Sequence, residues 1–378
     1  MLVGWSGLLV PALIRSIEHD FGQTDAGIGI FFFVNSVAYV CGSFAGGLLT
    51  ERVGRRAVLP AAVALVALGL VGMGIVPSWA VFLAAAVPFG LGGGAIDGGT
   101  NGLILDLYPA SRGRALNLLH LCFSLGALAS PLVVGRLVEA GAAWESVVLT
   151  TAAAAAPIAV LLAVVAMPSG RHARGAGAGS RIRVGIALPL VALAVAIACY
   201  VASEVGVSNW LVRYLEGASL GLATSALALF WGCLALGRLV SARLGDRFDH
   251  GLFAAMSALL SAAALVAAVL VPSLPASIVL FGVVGFAFGP VYPLIMAVAG
   301  DRYPARSAAV SGLLSGIAVI GAILYPPLMG FLSVGLGLGV AMLGAAVLAL
   351  VCGVVLWVLS GWRDEPNVAG SVAPETTA

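Results

Sequence analysis

The sequence predicts an all-α integral membrane protein with twelve transmembrane helices arranged as two six-helix bundles. The chain has 378 residues, of which 61% are hydrophobic and only 9% are charged, whereas charged residues make up about a quarter of an ordinary soluble protein. The apolar residues form stretches of about 20, each long enough to cross a bilayer as a helix. This pattern excludes a soluble enzyme, a nucleic-acid-binding protein and a porin-like barrel.

Twelve spans follow from the apolar runs, the charge clusters between them and the Gly and Pro breaks. The first is short, because 14 residues before Arg15 rise only about 21 Å. We therefore expect the natural start to lie upstream, unless the bilayer thins around a short helix. The spans lie near residues 1–14, 26–49, 58–76, 80–105, 115–138, 146–167, 184–212, 222–242, 252–271, 276–300, 308–333 and 338–361.

Arginine supplies all 18 basic residues, and its distribution predicts the orientation of the bundle. Arg15, Arg136 and Arg213 lie on one side, and the remaining arginines fall in the alternate segments. The positive-inside rule makes those segments, and with them both termini, cytoplasmic. Because Arg replaces Lys throughout and Ala, Gly, Val and Leu dominate, we expect a GC-rich prokaryotic source. The prediction is a multi-pass monomer of a prokaryotic plasma membrane.

The second half of the chain repeats features of the first in the same order. The pentapeptide at Asp106 returns at Asp301, and the ladder of Gly126, Pro131 and Gly135 returns 195 residues later. Such a repeat is typical of two bundles of common origin. The predicted division is an N-terminal bundle at 1–168, a cytoplasmic linker at 169–183, a C-terminal bundle at 184–362 and a disordered cytoplasmic tail at 363–378.

The loop between the second and third spans reads Gly47-Leu-Leu-Thr-Glu-Arg-Val-Gly-Arg-Arg. It resembles the signature loop of the major facilitator superfamily, with Glu51 where Asp is usual. Three further segments, which begin at Gly94, Asn117 and Glu204, resemble the fucose/glucose:proton symporter branch. The resemblance implies the major facilitator fold and a secondary transporter that carries a sugar or similar small polar solute by alternating access, coupled to protons.

The same loop implies a cytoplasmic gate. Charges at helix ends can form ion pairs between the bundles in one conformation and lose them in the other, although they could also serve only to anchor the topology. The predicted gating residues are Glu51, Arg52, Arg55 and Arg56, with Arg243, Asp246 and Arg247 from the matching loop of the second half.

Two acids are predicted to couple the proton. An ionisable side chain near the bilayer centre is costly, so its default interpretation is functional. Asp97 lies about 13 Å along its helix from the cytoplasmic end, and Glu204 lies in the seventh span. Each could instead be a structural, hydrogen-bonded or hydrated group. The sugar symporters that the chain resembles also carry an acid in the first span, and residues 1–14 contain none. If the natural start lies upstream, that acid is expected there; if not, coupling rests on Asp97 or Glu204.

The candidates for substrate binding are polar and aromatic side chains at helical spacing. Amides and hydroxyls can hydrogen-bond a hydroxylated solute, and rings can stack on the apolar face of a sugar. For several of them, packing against a neighbouring helix is an equally good interpretation. They are Asn35, Tyr39, Asn101, Asn117, His120, Tyr200, Asn209, Trp210 and Tyr292.

Other functions have weaker support in the sequence. A proton-driven multidrug or metabolite exporter would show a GPxxGG-like pattern in the fifth span, which the segment from Gly126 to Gly135 matches only in part. A membrane sensor or an intramembrane enzyme would need a soluble domain or a nucleophile and base, and the sequence shows neither. We expect no cofactor, no metal and no nucleic-acid partner.

Cysteine labelling tests the predicted topology. Cysteines introduced near Gly141 and Ala218 should react with a membrane-impermeant maleimide added to intact cells, because both loops are predicted to be external. A cysteine near Gly175, in the predicted cytoplasmic linker, should stay unlabelled. The reverse pattern would show that the bundle is inserted the other way round.

Overall fold

A computed structural model describes residues 1–75, 78–108, 112–165, 167, 188–244, 247–304 and 307–361. The predicted linker, the predicted tail and Asp246 lie outside the described residues, as do the side chains of Glu51 and Asn117. The described helices are α1 Leu2–Gly7, α2 Leu9–Phe21, α3 Asp25–Val53, α4 Arg55–Ile75, α5 Trp79–Leu107, α6 Arg112–Glu139, α7 Trp144–Val164, α8 Leu188–Tyr214, α9 Leu220–Leu244, α10 His250–Leu270, α11 Leu274–Phe288, α12 Val291–Arg302, α13 Ser307–Leu336 and α14 Leu338–Gly361.

These helices form the twelve predicted spans. Eleven spans are long and apolar enough to cross a membrane, and α1 with α2 supplies the other one. The first span continues past Arg15 to Phe21, so the prediction that it ends near residue 14 was wrong. The tenth span consists of α11 and α12, which are separated by Gly289 and Pro290. Helices suit a bilayer because each satisfies its own backbone hydrogen bonds.

The helices form two halves, α1–α7 and α8–α14, that repeat each other in structure. Tyr108 ends α5 with φ −124° and ψ 59°, and Tyr303 ends α12 with nearly the same angles, φ −127° and ψ 56°. Between the halves, α6 packs on α9 and α13 packs on α3. In the repeat α6 corresponds to α13 and α3 to α9, so the two contacts are equivalent. We call this interface between the halves the seam.

The two ends of the bundle differ in how the halves meet. We call the end that carries Gly54 and Tyr108 the arginine end, and the end that carries Gly22 and Gly141 the opposite end. Gly22 has φ 58° and Gly54 has φ 87°, a left-handed region that favours glycine, and each allows a reversal between two long helices.

At the opposite end the backbones of the two halves are in close contact. A Cβ atom on Gly29 of α3 would lie 2.8 Å from the carbonyl oxygen of Pro327 in α13, so only glycine fits there. The rings of Phe32 and Trp210 also meet across the seam, with centroids 5.6 Å apart. The entrance between the halves is therefore closed at this end.

Ionic contacts reinforce the closure. Arg213 of α8 pairs through Nε with Glu18 of α2 and with Asp25 of α3, each at 2.8 Å. Arg15 of α2 donates hydrogen bonds to the carbonyl oxygens of Val212 at 2.9 Å, of Ala218 at 2.8 Å and of Leu215. We call Arg15, Glu18, Asp25 and Arg213 the opposite-end clamp. Each contact joins the first half to the second.

Neutralising Arg213 should loosen this clamp. In Arg213→Gln the carboxyl groups of Glu18 and Asp25 lose the cation that joins them to α8. The cost is about 1 kcal/mol for a partly exposed pair, a shift of about fivefold toward states in which this end is open. Pulsed EPR distances between spin labels on Thr24→Cys and Gly217→Cys, in a background without other reactive cysteines, should gain a longer component.

Arg136→Gln is the matched control, because Arg136 is exposed in α6 and lies outside the clamp. Its distance distribution should equal that of the parent protein. An unchanged distribution in Arg213→Gln would show that the clamp does not hold this end closed.

Candidate substrate and proton site

Asp97 lies beside Tyr39 because α3 and α5 pack closely together. A Cβ atom on Gly98 of α5 would lie 2.5 Å from the carbonyl oxygen of Ser43 in α3. This close approach brings the phenol of Tyr39 in α3 within hydrogen-bonding reach of the Asp97 carboxyl group. The glycines of α5 thus fix the distance between the acid and its neighbour.

The environment of Asp97 is polar and only partly satisfied. Asn101, one helical turn away, donates a hydrogen bond from Nδ2 to Asp97 Oδ1 at 3.2 Å. The Oδ1 atoms of Asn101 and of Asn35 are buried and have no hydrogen-bond partner among the described residues. Buried polar atoms in folded proteins are usually bonded to protein, water or a ligand. Asn101 therefore leaves an acceptor next to Asp97 for a hydroxyl group.

Glu204 is the second acid, contributed by the other half. It is 7% exposed, and its Oε1 lies 3.8 Å from Nη2 of Arg238 in α9. Tyr200, one turn earlier in α8, is fully buried against Phe288, with ring centroids 5.6 Å apart. A carboxyl group buried this deeply needs a nearby cation or hydrogen-bond donors, and Arg238 supplies the cation.

Arg238 is a site residue that sequence reasoning missed. Its assignment to the cytoplasmic arginines was wrong: it lies within α9, which continues to Leu244. Gly289, at the break between α11 and α12, packs against α9 so closely that a Cβ atom would lie 2.6 Å from the backbone nitrogen of Arg238. One signal was available, because Arg238 falls inside the predicted span at 222–242.

The two acids share neighbours at the seam. His120 of α6 interacts electrostatically with both Asp97 and Arg238. Tyr292 of α12 interacts with both Asp97 and Glu204, and its hydroxyl lies 3.1 Å from Ser315 Oγ. His120 is exposed, so the site is open. Since the halves meet at the opposite end, the opening faces the arginine end.

The predicted site residues thus divide into two sets. One set gathers at the seam: Tyr39, Asp97, Asn101, His120, Tyr200, Glu204 and Tyr292. The described candidates outside this set are Trp210, Asn35 and Asn209. Trp210 is fully buried and donates a hydrogen bond to the Pro326 carbonyl oxygen at 2.8 Å, while Asn35 and Asn209 are half-buried. A substrate contact for these residues, and for Asn117, stays a prediction.

The predicted gating arginines lie at the arginine end. Arg55 is buried and donates to the Gly102 carbonyl oxygen of α5 at 3.2 Å, and Arg56 donates to the Ala163 carbonyl oxygen of α7 at 2.8 Å. Both hydrogen bonds brace α4 within its own half. Arg52, Arg243 and Arg247 are exposed. A gating role for this set stays a prediction.

Among curated proteins the chain resembles MFS-type transporters. It is 26% identical over 339 residues to an uncharacterized MFS-type transporter of Yersinia pestis, a match that covers 85% of this chain and 84% of that protein. The match to an uncharacterized MFS-type transporter of Bacillus subtilis, at 23% identity, spans only 36% of this chain and 35% of the relative. The mouse sodium-dependent glucose transporter 1A is 24% identical over 35% of this chain and 31% of its own length.

Solved structures share the fold at low sequence identity. A bacterial homologue of the human lysosomal transporter Spinster, in an inward-facing and occupied conformation, has a TM-score of 0.80 at 16% identity, covering 96% of both chains. The D-xylose–proton symporter has a TM-score of 0.75 at 16% identity and 94% coverage of both chains. The Escherichia coli fucose:proton symporter has a TM-score of 0.64 at 18% identity, covering 95% of this chain and 96% of its own.

The match to a known family extends over almost the whole chain. The Major Facilitator Superfamily matches residues 1–231 and 182–376, which include both halves of the fold and all of the residues at the seam. The twelve spans, the internal repeat and the loop at Gly54 agree with this match. The chain belongs to the Major Facilitator Superfamily of membrane transporters.

Proposed function

We propose that this protein moves a sugar or similar small polyhydroxylated solute across a prokaryotic plasma membrane, coupled to protons. The observation that carries the proposal is Asp97. Its carboxyl group lies within an apolar helix, accepts a hydrogen bond from Asn101 and lies within reach of the Tyr39 phenol. Tyr292 interacts with both Asp97 and Glu204 of the other half. Acids in such a position are costly to a membrane protein and mark transport pathways.

The substrate class is supported by the chemistry of the site and by the relatives. Phenol, amide and carboxyl groups together donate and accept hydrogen bonds, as the hydroxyl groups of a sugar require. The mouse relative is named as a glucose transporter, and two structural neighbours are named as proton symporters of xylose and of fucose. We assign coupling to the proton because Asp97 and Glu204 can each bind and release one.

The proposed mechanism is alternating access at the seam. The opposite-end clamp closes one entrance while the site opens to the arginine end. We assign the arginine end, and both termini, to the cytoplasm by the positive-inside rule. The conformation is then inward-facing, a state in which the Spinster homologue was also captured. To open outward, Arg213 must release Glu18 and Asp25.

Arg52 and Arg55 should affect the rate of conformational cycling and not the affinity for the substrate. Both lie at the arginine end, away from Asp97, so their charges bias the balance between conformations. Arg52→Gln or Arg55→Gln should slow substrate counterflow in proteoliposomes about fivefold, the effect of an ion pair worth about 1 kcal/mol. Equilibrium binding to the purified protein should change less than about twofold.

The control is Arg136→Gln, which removes an exposed arginine of α6 and should leave both rates and binding unchanged. If affinity falls in step with transport in Arg52→Gln, the residue contributes to binding and the gating assignment is wrong.

Asp97→Asn should abolish proton coupling but leave exchange of the substrate across the membrane. The amide keeps the size and part of the hydrogen bonding of the carboxyl group but cannot carry a proton. Proteoliposomes containing the variant should lose proton-driven accumulation of sugar, while counterflow without a gradient stays measurable and depends less on pH.

Glu145→Gln, at the start of α7, is the matched control and should accumulate sugar like the parent protein. Continued accumulation by Asp97→Asn would make Asp97 structural and move the assignment to Glu204. Accumulation driven by a sodium gradient in place of a proton gradient would contradict proton coupling.

A further inference from the structure

The guanidinium group of Arg238 has unused hydrogen-bonding capacity inside the site. Its contact with Glu204 is 3.8 Å long, whereas a charge-assisted hydrogen bond is about 2.7–2.9 Å. Among the described residues the hydroxyl group of Tyr200 is also within reach of it, a single acceptor for a guanidinium that has five N–H donors. The Arg238 side chain is 31% exposed and that of Glu204 only 9%, so the guanidinium lies between the buried acid and the open cavity.

A pair with only a structural role would have a different geometry. Arg and carboxylate groups that neutralise each other in an apolar interior frequently form two short parallel hydrogen bonds, and both groups are then buried. Here the acid is buried, the arginine is partly exposed, and the planar guanidinium keeps more N–H donors than Tyr200 and Glu204 can accept from. That arrangement suits an anion that enters from the cavity.

The two halves present different chemistry to such a ligand. The first half offers Asp97, Asn101 and Tyr39, which match hydroxyl groups. The second half offers Arg238, whose planar fork of donors matches a carboxylate. A neutral sugar satisfies only the first set, whereas a solute with hydroxyl groups at one end and a carboxylate at the other satisfies both.

We propose that Arg238 binds a carboxylate of the transported solute, so that the substrate is a sugar acid or a comparable hydroxylated carboxylic acid. This inference rests on the proposed function, since it places the ligand in the same site at the seam. It narrows the substrate class from sugars in general to their acids.

The arrangement also links the substrate to the proton. When the carboxylate of the solute pairs with Arg238, Glu204 loses its counter-charge, and uptake of one proton from solution by Glu204 restores the charge balance. The groups that face Glu204 are Tyr200 from its own helix, Arg238 from α9 and Tyr292 from α12. Asp97 and His120 lie across the seam, near Tyr292 and Arg238.

Matched pairs of ligands test the proposal. D-Glucose and D-glucuronate, D-galactose and D-galacturonate, and sorbitol and gluconate each differ by one carboxylate. Isothermal titration calorimetry on the purified full chain in detergent should show at least one acid binding about tenfold or more tightly than its neutral partner. Arg238→Gln should abolish that preference and change the affinity for the neutral partner less than about threefold.

Further variants separate binding from folding. Arg238→Gln leaves Glu204 buried without a cation, so the double variant Glu204→Gln/Arg238→Gln, which removes both charges, should fold and also lack the preference. Glu204→Gln alone should strengthen acid binding, because Arg238 is no longer shared with Glu204. If Arg238 had only a structural role, Glu204→Gln would not increase the affinity for the acid. Arg136→Gln should behave like the parent protein.

The outcomes also distinguish this inference from the proposed function. Equal or tighter binding of the neutral sugars, or an acid preference that survives in the double variant, would overturn the role of Arg238 and leave sugar transport intact. If no sugar and no acid in the panel is bound or exchanged, the proposed sugar site itself is wrong, and the inference fails with it.

Discussion

An acid buried among apolar helices has to find a counter-charge or hydrogen-bond donors within the protein, because the bilayer offers neither. This constraint accounts for the arrangement of the seam. Glu204 is buried beside Arg238, and Asp97 is held by the phenol of Tyr39 and the amide of Asn101. A solute that enters the seam can therefore replace some of these contacts with its own hydrogen bonds or ion pairs.

The packing of the halves determines how such a solute reaches the site. Glycine contacts and the opposite-end clamp join the halves at one end, while His120 stays exposed toward the other. The clamp consists of ion pairs and carbonyl contacts near the end of the helices, which water can replace at modest cost. The glycine contacts between α3 and α5 lie within one half, so Tyr39 and Asp97 can move together as one rigid unit.

The sequence was enough to predict the fold because a bilayer permits few alternatives to apolar helices. It also predicted the Asp97 and Asn101 contact, since residues four apart share a helix face. It did not predict that Arg238 pairs with Glu204, or that Arg213 pairs with Asp25, because contacts between distant helices leave no periodic pattern. The break between α11 and α12 did have a local signal, the Gly289-Pro290 dipeptide, yet its packing against Arg238 depends on the tertiary structure.

The most direct test of alternating access at the seam is a reversible cross-link across it. Gly135 of α6 lies against Thr224 of α9, so cysteines at both positions, in a background without other cysteines, should form a disulfide. The oxidised protein should still bind whichever sugar or sugar acid the parent binds, but its counterflow should stop and return on reduction. Counterflow at the parent rate in the fully cross-linked protein would contradict the account.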